Sequence, residues 1–207
     1  MRKNETKGRF ILVAGLDGAG KTTAMKGALP ELQKNCDIVY LKGIGSDNLL
    51  GRLAKRFGIS FLFLAELLYM TYFPLRKALK QGKVVLMDKY FFFTASHIPD
   101  VDTRFNRFLL RICGPLMTKP DTVVYFLLER NERIKRLKAG PYSKYHQRLI
   151  DNPDWILERE IAYTAIVRAS GAKIIFSDNT GLNITQSVSV FKNIILYFLK
   201  GEAQDAD

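Results

Sequence analysis

Gly15-Leu16-Asp17-Gly18-Ala19-Gly20-Lys21-Thr22-Thr23 is the stretch that decides the fold, because it fills the pattern G-x-x-x-x-G-K-[ST] at every fixed position. Upstream, Phe10-Ile11-Leu12-Val13-Ala14 is a short apolar run with β-branched members and reads as a buried strand; from Lys21 onward the chain reads as a helix. Strand, glycine-rich turn and helix in that order let backbone N–H groups and a helix N-terminus converge on phosphate groups. Gly15, Asp17, Gly18, Ala19, Gly20, Lys21, Thr22 and Thr23 are therefore candidate contacts of a nucleoside triphosphate. Lys21 would reach the β and γ phosphates, and the Thr22 hydroxyl would hold Mg²⁺. A ligand-free glycine turn is the poorer account, because the full pattern in this setting is specific.

Working outward, 207 residues are compatible with one domain over 1–207 that buries a substantial core. Hydrophobic residues at 47% and charged residues at 25% match a globular protein, which excludes disordered and fibrous classes. The longest apolar stretch, Phe61 to Phe73, is broken by Glu66 and is too short for a membrane span, so it reads as a buried helix. The polar Met1 to Arg9 segment leads into the strand that the phosphate loop needs and does not read as a secretory signal, so a cytoplasmic location is the expectation. Cys36 and Cys113 have neither C-x-x-C spacing nor clustered histidines and read as packing residues. The net charge of +12 points to anionic partners; without a nucleic-acid-binding signature, a small anionic acceptor beside the triphosphate is a better account than specific nucleic acid.

Strand and helix alternate along the rest of the chain, which predicts an α/β fold with a parallel sheet flanked by helices. Asp37 to Leu41 reads as the second strand, and the helix before it, carrying Ala24, Ala28, Leu29 and Leu32 on one face, should kink or restart at Pro30. Helices are expected over Leu49 to Phe57, Phe61 to Lys80 and Thr103 to Met117, the last with Phe105, Leu109 and Ile112 on its apolar face. Val84-Val85-Leu86-Met87-Asp88 is a strand ending in a carboxylate, placed to hold Mg²⁺ directly or through water, with Lys89 and Tyr90 directed at the same cleft. Thr122 to Leu128 must be a central strand buried on both sides. Glu129 to Leu137 reads as a basic helix. The segment from about 138 to 151, with Gly140, Pro141, Lys144, His146 and Arg148, has the composition of a mobile loop that could close as a lid. Helices from Pro153 to about Ala169 and from Thr185 to Leu199 bracket a last strand, Lys173 to Ser177.

These motifs together resemble the thymidylate kinase family of nucleoside monophosphate kinases. The loop from Gly15 to Thr23 is similar to the family's G-x-D-G-[AS]-G-K-[ST]-T, Asp88-Lys89-Tyr90 to its D-R-Y, and Lys119-Pro120-Asp121-Thr122 to its K-P-D-L-T. Glu132-Arg133-Ile134 opens a basic helix before a lid in the corresponding place. The resemblance implies ATP as donor with Mg²⁺, held by Lys21, Thr22 and Asp88, and an adenine-side loop at Asp178, Asn179 and Thr180. It implies a catalytic cation from the lid, since Leu16, Asp17 and Ala19 leave no arginine in the phosphate loop; Arg133 and Arg136 come first, then Lys138, Lys144 and Arg148. Asp17, Lys42, Tyr69, Lys89, Tyr90 and Arg104 become the candidate acceptor contacts, with Tyr69 stacking on the base, and a homodimer is compatible with the likeness.

The acceptor half departs from the family's pattern. Its R-E-P-G turn is represented only by Lys42-Gly43-Ile44-Gly45, D-R-Y has become D-K-Y, and Phe91-Phe92-Phe93-Thr94-Ala95-Ser96-His97 stands where the family has a serine and later a glutamine. Three readings stay open on the sequence: a kinase acting on a pyrimidine nucleotide; a kinase of the same fold acting on a sugar, a modified nucleoside or a lipid-linked group; and a nucleotide-dependent switch.

Overall fold

The computed structural model describes residues 8–43, 52–53, 60–91, 111–140 and 144–204. Five parallel strands form one sheet in the order β2-β3-β1-β4-β5. Strand β1 (Arg9–Ala14) leads through the phosphate loop into α1 (Lys21–Asn35), and β2 (Ile38–Lys42) follows. A continuous helical rod comprises α2 (Ser60–Met70), a π-helical turn at Thr71–Leu75 containing Pro74, and α3 (Arg76–Lys80). Then come β3 (Val84–Asp88), a 3₁₀ turn at Gly114–Leu116, β4 (Thr122–Leu127), α4 (Arg130–Ala139), α5 (Lys144–Asp151), α6 (Pro153–Ala169), β5 (Lys173–Asp178) and α7 (Ile184–Gln204).

The alternation within each strand explains the layers. Phe10, Leu12 and Ala14 point to one face with Val85, Met87, Val123 and Tyr125, where Leu67, Met70 and Leu75 of the rod and Tyr163 and Val167 of α6 cover them. Ile11 and Val13 point to the other with Leu86, Val124 and Phe126, under Ala24, Met25, Ala28 and Leu32 of α1 and Phe191, Ile195 and Phe198 of α7. A parallel sheet needs cover on both faces because its βα crossovers lie on both, and β1, β3 and β4 accordingly carry almost unbroken apolar runs. Asp121 secures the start of β1 by accepting the Phe10 N–H at 2.7 Å through its carboxylate. The consequence for function is positional: β1 and β3 end side by side, Val13 in register with Asp88, so the phosphate loop and Asp88 share the carboxyl edge of the sheet.

Several expectations change. Of the kink or restart expected at Pro30, the restart does not occur: α1 runs through it, pressed against α7 so closely that a Cβ on Gly27 would meet Val188 Cγ2 at 2.5 Å. Packing over the whole face outweighs the one backbone hydrogen bond that proline removes. The segment expected as a mobile loop is helical over its second part as α5, and Leu149 anchors that helix in the core. Ile112, expected on a buried face, is 49% exposed, and Tyr72 and Phe73 of the apolar rod also face outward. The helices expected over Leu49 to Phe57 and Thr103 to Met117 lie largely outside the described residues. Among the described residues, no helix is long and apolar enough to cross a membrane.

Candidate active site

The loop after β1 is shaped by its glycines. Gly15 has φ +124°, and a Cβ there would sit 2.6 Å from the Phe126 carbonyl oxygen of β4, so both the conformation and the space call for glycine. Lys21 Nζ, 5% exposed, donates to the Leu16 carbonyl at 2.9 Å. Burial lowers the pKa of this ammonium, while the Asp17 and Asp88 carboxylates act in the opposite direction. The loop lysine is therefore folded back on its own backbone, in reach of a phosphate that could take over that hydrogen bond.

At the adjoining strand end, the Thr22 hydroxyl donates to Asp88 Oδ2 at 3.1 Å. Asp88 is 2% exposed, and its Oδ1 is buried with no hydrogen-bond partner among the described residues. An unsatisfied carboxylate oxygen in that position is costly unless a cation or water completes it. A hydroxyl and a carboxylate oxygen side by side, both hard ligands, fit Mg²⁺.

Asp17 is the centre of charge in the cleft. Its Oδ1 lies 3.8 Å from Lys21 Nζ and 3.5 Å from Lys89 Nζ, and its Oδ2 lies 3.3 Å from His146 Nε2 of α5. Burial alone would raise the Asp17 pKa, but the His146 hydrogen bond and the Lys21 and Lys89 charges reverse this and hold it well below the usual carboxylate range. Lys89 reaches Asp17 from a left-handed backbone, φ +54°, immediately after β3. That conformation is unusual for a residue with a Cβ, and the neighbouring strand end reinforces it: the Gly43 N–H donates to the Asp88 carbonyl at 2.8 Å, and a Cβ on Gly43 would meet the Lys89 carbonyl oxygen at 2.4 Å.

On the other side of the loop, α4 starts with Glu129, whose carboxylate accepts the N–H groups of Asn131 and Glu132 and caps the helix. Arg133 is fully buried beneath the phosphate loop. Its guanidinium donates to the Asp17 carbonyl at 3.2 Å, to the Leu128 carbonyl at 3.1 Å and to Glu160 Oε1 of α6 at 3.2 Å. One turn on, Arg136 Nη2 donates to Glu132 Oε1 and to the carbonyls of Asn179 and Leu182, at 3.2 and 3.3 Å. Asn179 is buried; its amide nitrogen bridges the Ala19 carbonyl at 2.9 Å and Ser187 Oγ at 2.8 Å, tying the loop after β5 to the phosphate loop. Tyr163 supports the loop from below by a hydrogen bond to the Gly15 backbone, and burial raises its phenol well above the ordinary value.

A cleft of about 1070 Å³ is lined by Asp17, Gly18, Gly20, Lys21, Thr22 and Thr23, with Lys89, Arg136 and His146 on its walls. Other expected contacts lie elsewhere. Arg133 is a buried support rather than a cation exposed to the cleft. Tyr90 is fully buried, its hydroxyl 3.1 Å from that of Thr71 and its ring edge-on to Phe10, so it faces the core and is not part of the cleft lining. Tyr69 is 43% exposed beside Phe73, outside the cleft lining, and the exposed Lys42 ends β2 opposite Asp88. Asp178 and Thr180 turn inward to their own loop: the Asp178 carboxylate accepts the Thr180 N–H and the Thr180 hydroxyl accepts the Glu129 N–H. Arg148 is stacked over Trp155, 4.3 Å from the ring centroid; Arg104 and the Lys144 side chain lie outside the described residues.

The sequence reading missed Glu132, Lys135 and the Leu182 to Thr185 wall of the cleft, and it gave His146 no partner. Of these, only His146 stood out in sequence, as one of 2 histidines in the chain and the one inside the lid segment.

A phosphate loop on the central strand, a buried acid beside its threonine and a basic helix leaning over both define a nucleotide-binding phosphotransferase. The thymidylate kinase family model matches residues 13–153. A probable thymidylate kinase of Pyrococcus horikoshii is 26% identical over 211 residues, covering 95% of this chain and 98% of that protein. One of Sulfurisphaera tokodaii is 28% identical over 146 residues, covering 68% and 75%. In fold, the thymidylate kinase of Candida albicans superimposes with a TM-score of 0.69 over 91% of both chains, at 19% identity. This chain belongs to the thymidylate kinase family and is a thymidylate kinase-like nucleotide kinase.

Proposed function

We propose that the chain transfers the γ-phosphoryl group of ATP to a pyrimidine nucleoside monophosphate, thymidine monophosphate among them. The observation that carries this reading is the convergence of Lys21, Lys89 and His146 on Asp17, beside the Thr22 and Asp88 pair, in one cleft. Phosphoryl transfer asks little covalent chemistry of a protein; it needs the two substrates in line and their negative charge compensated. Lys21 leaves the Leu16 carbonyl for the β and γ phosphates, at the loop that leads into the N-terminus of α1. Thr22 and Asp88 would hold Mg²⁺, which would supply positive charge to offset that of the transferring group.

Lys89 is the acceptor-side cation. The left-handed turn after Asp88 aims its ammonium across the cleft, where Asp17 holds it until a dianionic acceptor phosphate competes for it. A lysine is a point charge and lacks the two-pronged fork of arginine, so thymidine monophosphate is held less selectively than by an arginine in that position. Arg136, rather than the buried Arg133, is the arginine of α4 that meets the donor nucleotide. A cytoplasmic location accompanies this reading, and a homodimer is compatible with it.

The test is ADP release from ATP and Mg²⁺ across a panel of nucleoside monophosphates, nucleosides and sugars. Turnover with thymidine or another pyrimidine monophosphate is expected. Normal ATP binding without turnover of any nucleoside monophosphate would overturn the reading. Lys21→Ala should abolish turnover in a protein that stays folded.

A further inference from the structure

The geometry points to Glu132 as a positioning residue for the donor nucleotide: it holds both the wall of the cleft and the arginine that faces it. This rests on the reading that the cleft takes ATP. Glu132 Oε1 accepts from Arg136 Nη2, and Glu132 Oε2 accepts the Gly181 N–H at 2.8 Å. The same Arg136 nitrogen reaches the carbonyls of Asn179 and Leu182, so one carboxylate and one guanidinium bind the turn after β5 at three successive points: residues 179, 181 and 182. Glu132 draws in the backbone N–H, Arg136 the backbone oxygens, and the two side chains neutralise each other.

The turn is held at its start by Asp178, Asn179 and Thr180 and at its end by the reciprocal bonds of Asn183 and Gln186, so its middle is left to Glu132 and Arg136. Gly181 is in the left-handed region at φ +70° with open space where a Cβ would be, so no side-chain packing enforces the turn there. Beyond it, Leu182, Asn183 and Ile184 line the cleft after β5, an edge strand separated by β1 and β4 from β3, which leads into Lys89. Arg136 also comes close to the phosphate loop, its Nη1 3.5 Å from where a Cβ on Gly20 would lie. Its guanidinium therefore spans from the phosphate loop to the turn, over the route between the triphosphate and the rest of the donor. Without Glu132, Arg136 keeps its carbonyl acceptors but loses its counter-charge, and the Gly181 N–H loses its acceptor. Both changes loosen a surface that the donor requires in one arrangement, and both lie far from the Asp88 and Lys89 side, where the acceptor would be held.

The experiment compares wild-type protein with Glu132→Gln and Glu132→Ala, measuring ATP affinity by calorimetry in the absence of acceptor and steady-state constants with a turned-over monophosphate. For Glu132→Ala, the Kd and KM for ATP should rise about tenfold, since a charge-assisted hydrogen bond and its ion pair are lost. kcat should change by less than about threefold, as expected when ground-state and transition-state binding fall together. Glu132→Gln keeps the size and an acceptor oxygen for Gly181 but not the charge, so it should recover part of the affinity. The KM of the acceptor should stay near wild type in both. Should Glu132→Ala fail to fold, the isosteric Gln variant carries the same test. Unchanged ATP affinity in folded variants, or a kcat loss with ATP affinity intact, would overturn the assignment. If wild-type protein itself binds no ATP, the functional reading fails first and this inference with it; wild-type binding with indifferent variants refutes Glu132 alone.

Discussion

Replacing Arg133 by methionine separates a structural cation from a catalytic one. Arg133 is fully buried, donates to two backbone carbonyls and pairs with Glu160 at 3.2 Å. Methionine fills much of the same volume but leaves Glu160 without its partner and the Asp17 and Leu128 carbonyls without these donors. Removing one partner of a fully buried ion pair costs about 3–5 kcal/mol; Glu160 is 24% exposed and keeps some hydration, so the low end, about 3 kcal/mol, is expected. For a chain of this size, a melting point lower by about 10 °C follows. The cost should depend on pH. Burial raises the Glu160 pKa and Arg133 opposes the rise; with Arg133 gone, the pKa climbs further. An acid with a raised folded-state pKa keeps its proton in the folded state where the unfolded chain has lost it. Stability therefore falls as pH rises from the unfolded value of about 4.3 through the folded one, and below that window the Glu160 penalty disappears.

The assay is urea denaturation of wild type, Arg133→Met and Arg133→Met/Glu160→Gln between pH 4 and 8, with turnover measured well below each melting point. The double variant should regain at least half of the lost stability, and kcat of the folded single variant should fall less than about tenfold. A loss of stability under about 1 kcal/mol, together with a collapse of kcat, would refute the reasoning and return Arg133 to the role of catalytic cation.

Asp88→Asn should retain ATP binding while turnover drops by two orders of magnitude or more and the Mg²⁺ concentration needed for half-maximal rate rises, since an amide is a poorer ligand for a hard cation; a metal titration checks it. Lys89→Ala should raise the KM of a phosphorylated acceptor far more than that of ATP, and equal effects on both would remove Lys89 from the acceptor side. Asp17, whose folded-state pKa is depressed by His146, Lys21 and Lys89, contributes stability that is present above the unfolded carboxylate value near about 4 and is lost as pH falls below it. The stability gap between wild type and Asp17→Asn should thus be level at neutral pH and narrow in acid, and a gap that widened on acidification would contradict the pairing. Gly43→Ala should destabilise by about 1–3 kcal/mol in thermal melts, because its Cβ would press on the backbone carbonyl of Lys89.

What the sequence determined by itself was local in origin. The phosphate loop was legible because its chemistry needs consecutive backbone N–H groups, a lysine and a hydroxyl at fixed spacing, and the strands β1, β3 and β4 because burial on both faces leaves unbroken apolar runs. Asp88 could be singled out as a candidate ligand from its place at a strand end in a chain with a phosphate loop, and its carboxylate does lie against the Thr22 hydroxyl. Tertiary structure decided everything that depends on which face of an element meets which neighbour. Arg133 and Arg136 have the same charge three residues apart on one helix. The first points into the gap under the phosphate loop, where two carbonyls and Glu160 can satisfy it, and the second points along the cleft wall. Tyr90, next in sequence to the cleft residue Lys89, is turned into the core, where Phe10 and Thr71 receive it. The partnership of His146 with Asp17 spans 129 positions, and no periodicity or motif encodes a contact that exists only once α5 has packed beside the phosphate loop.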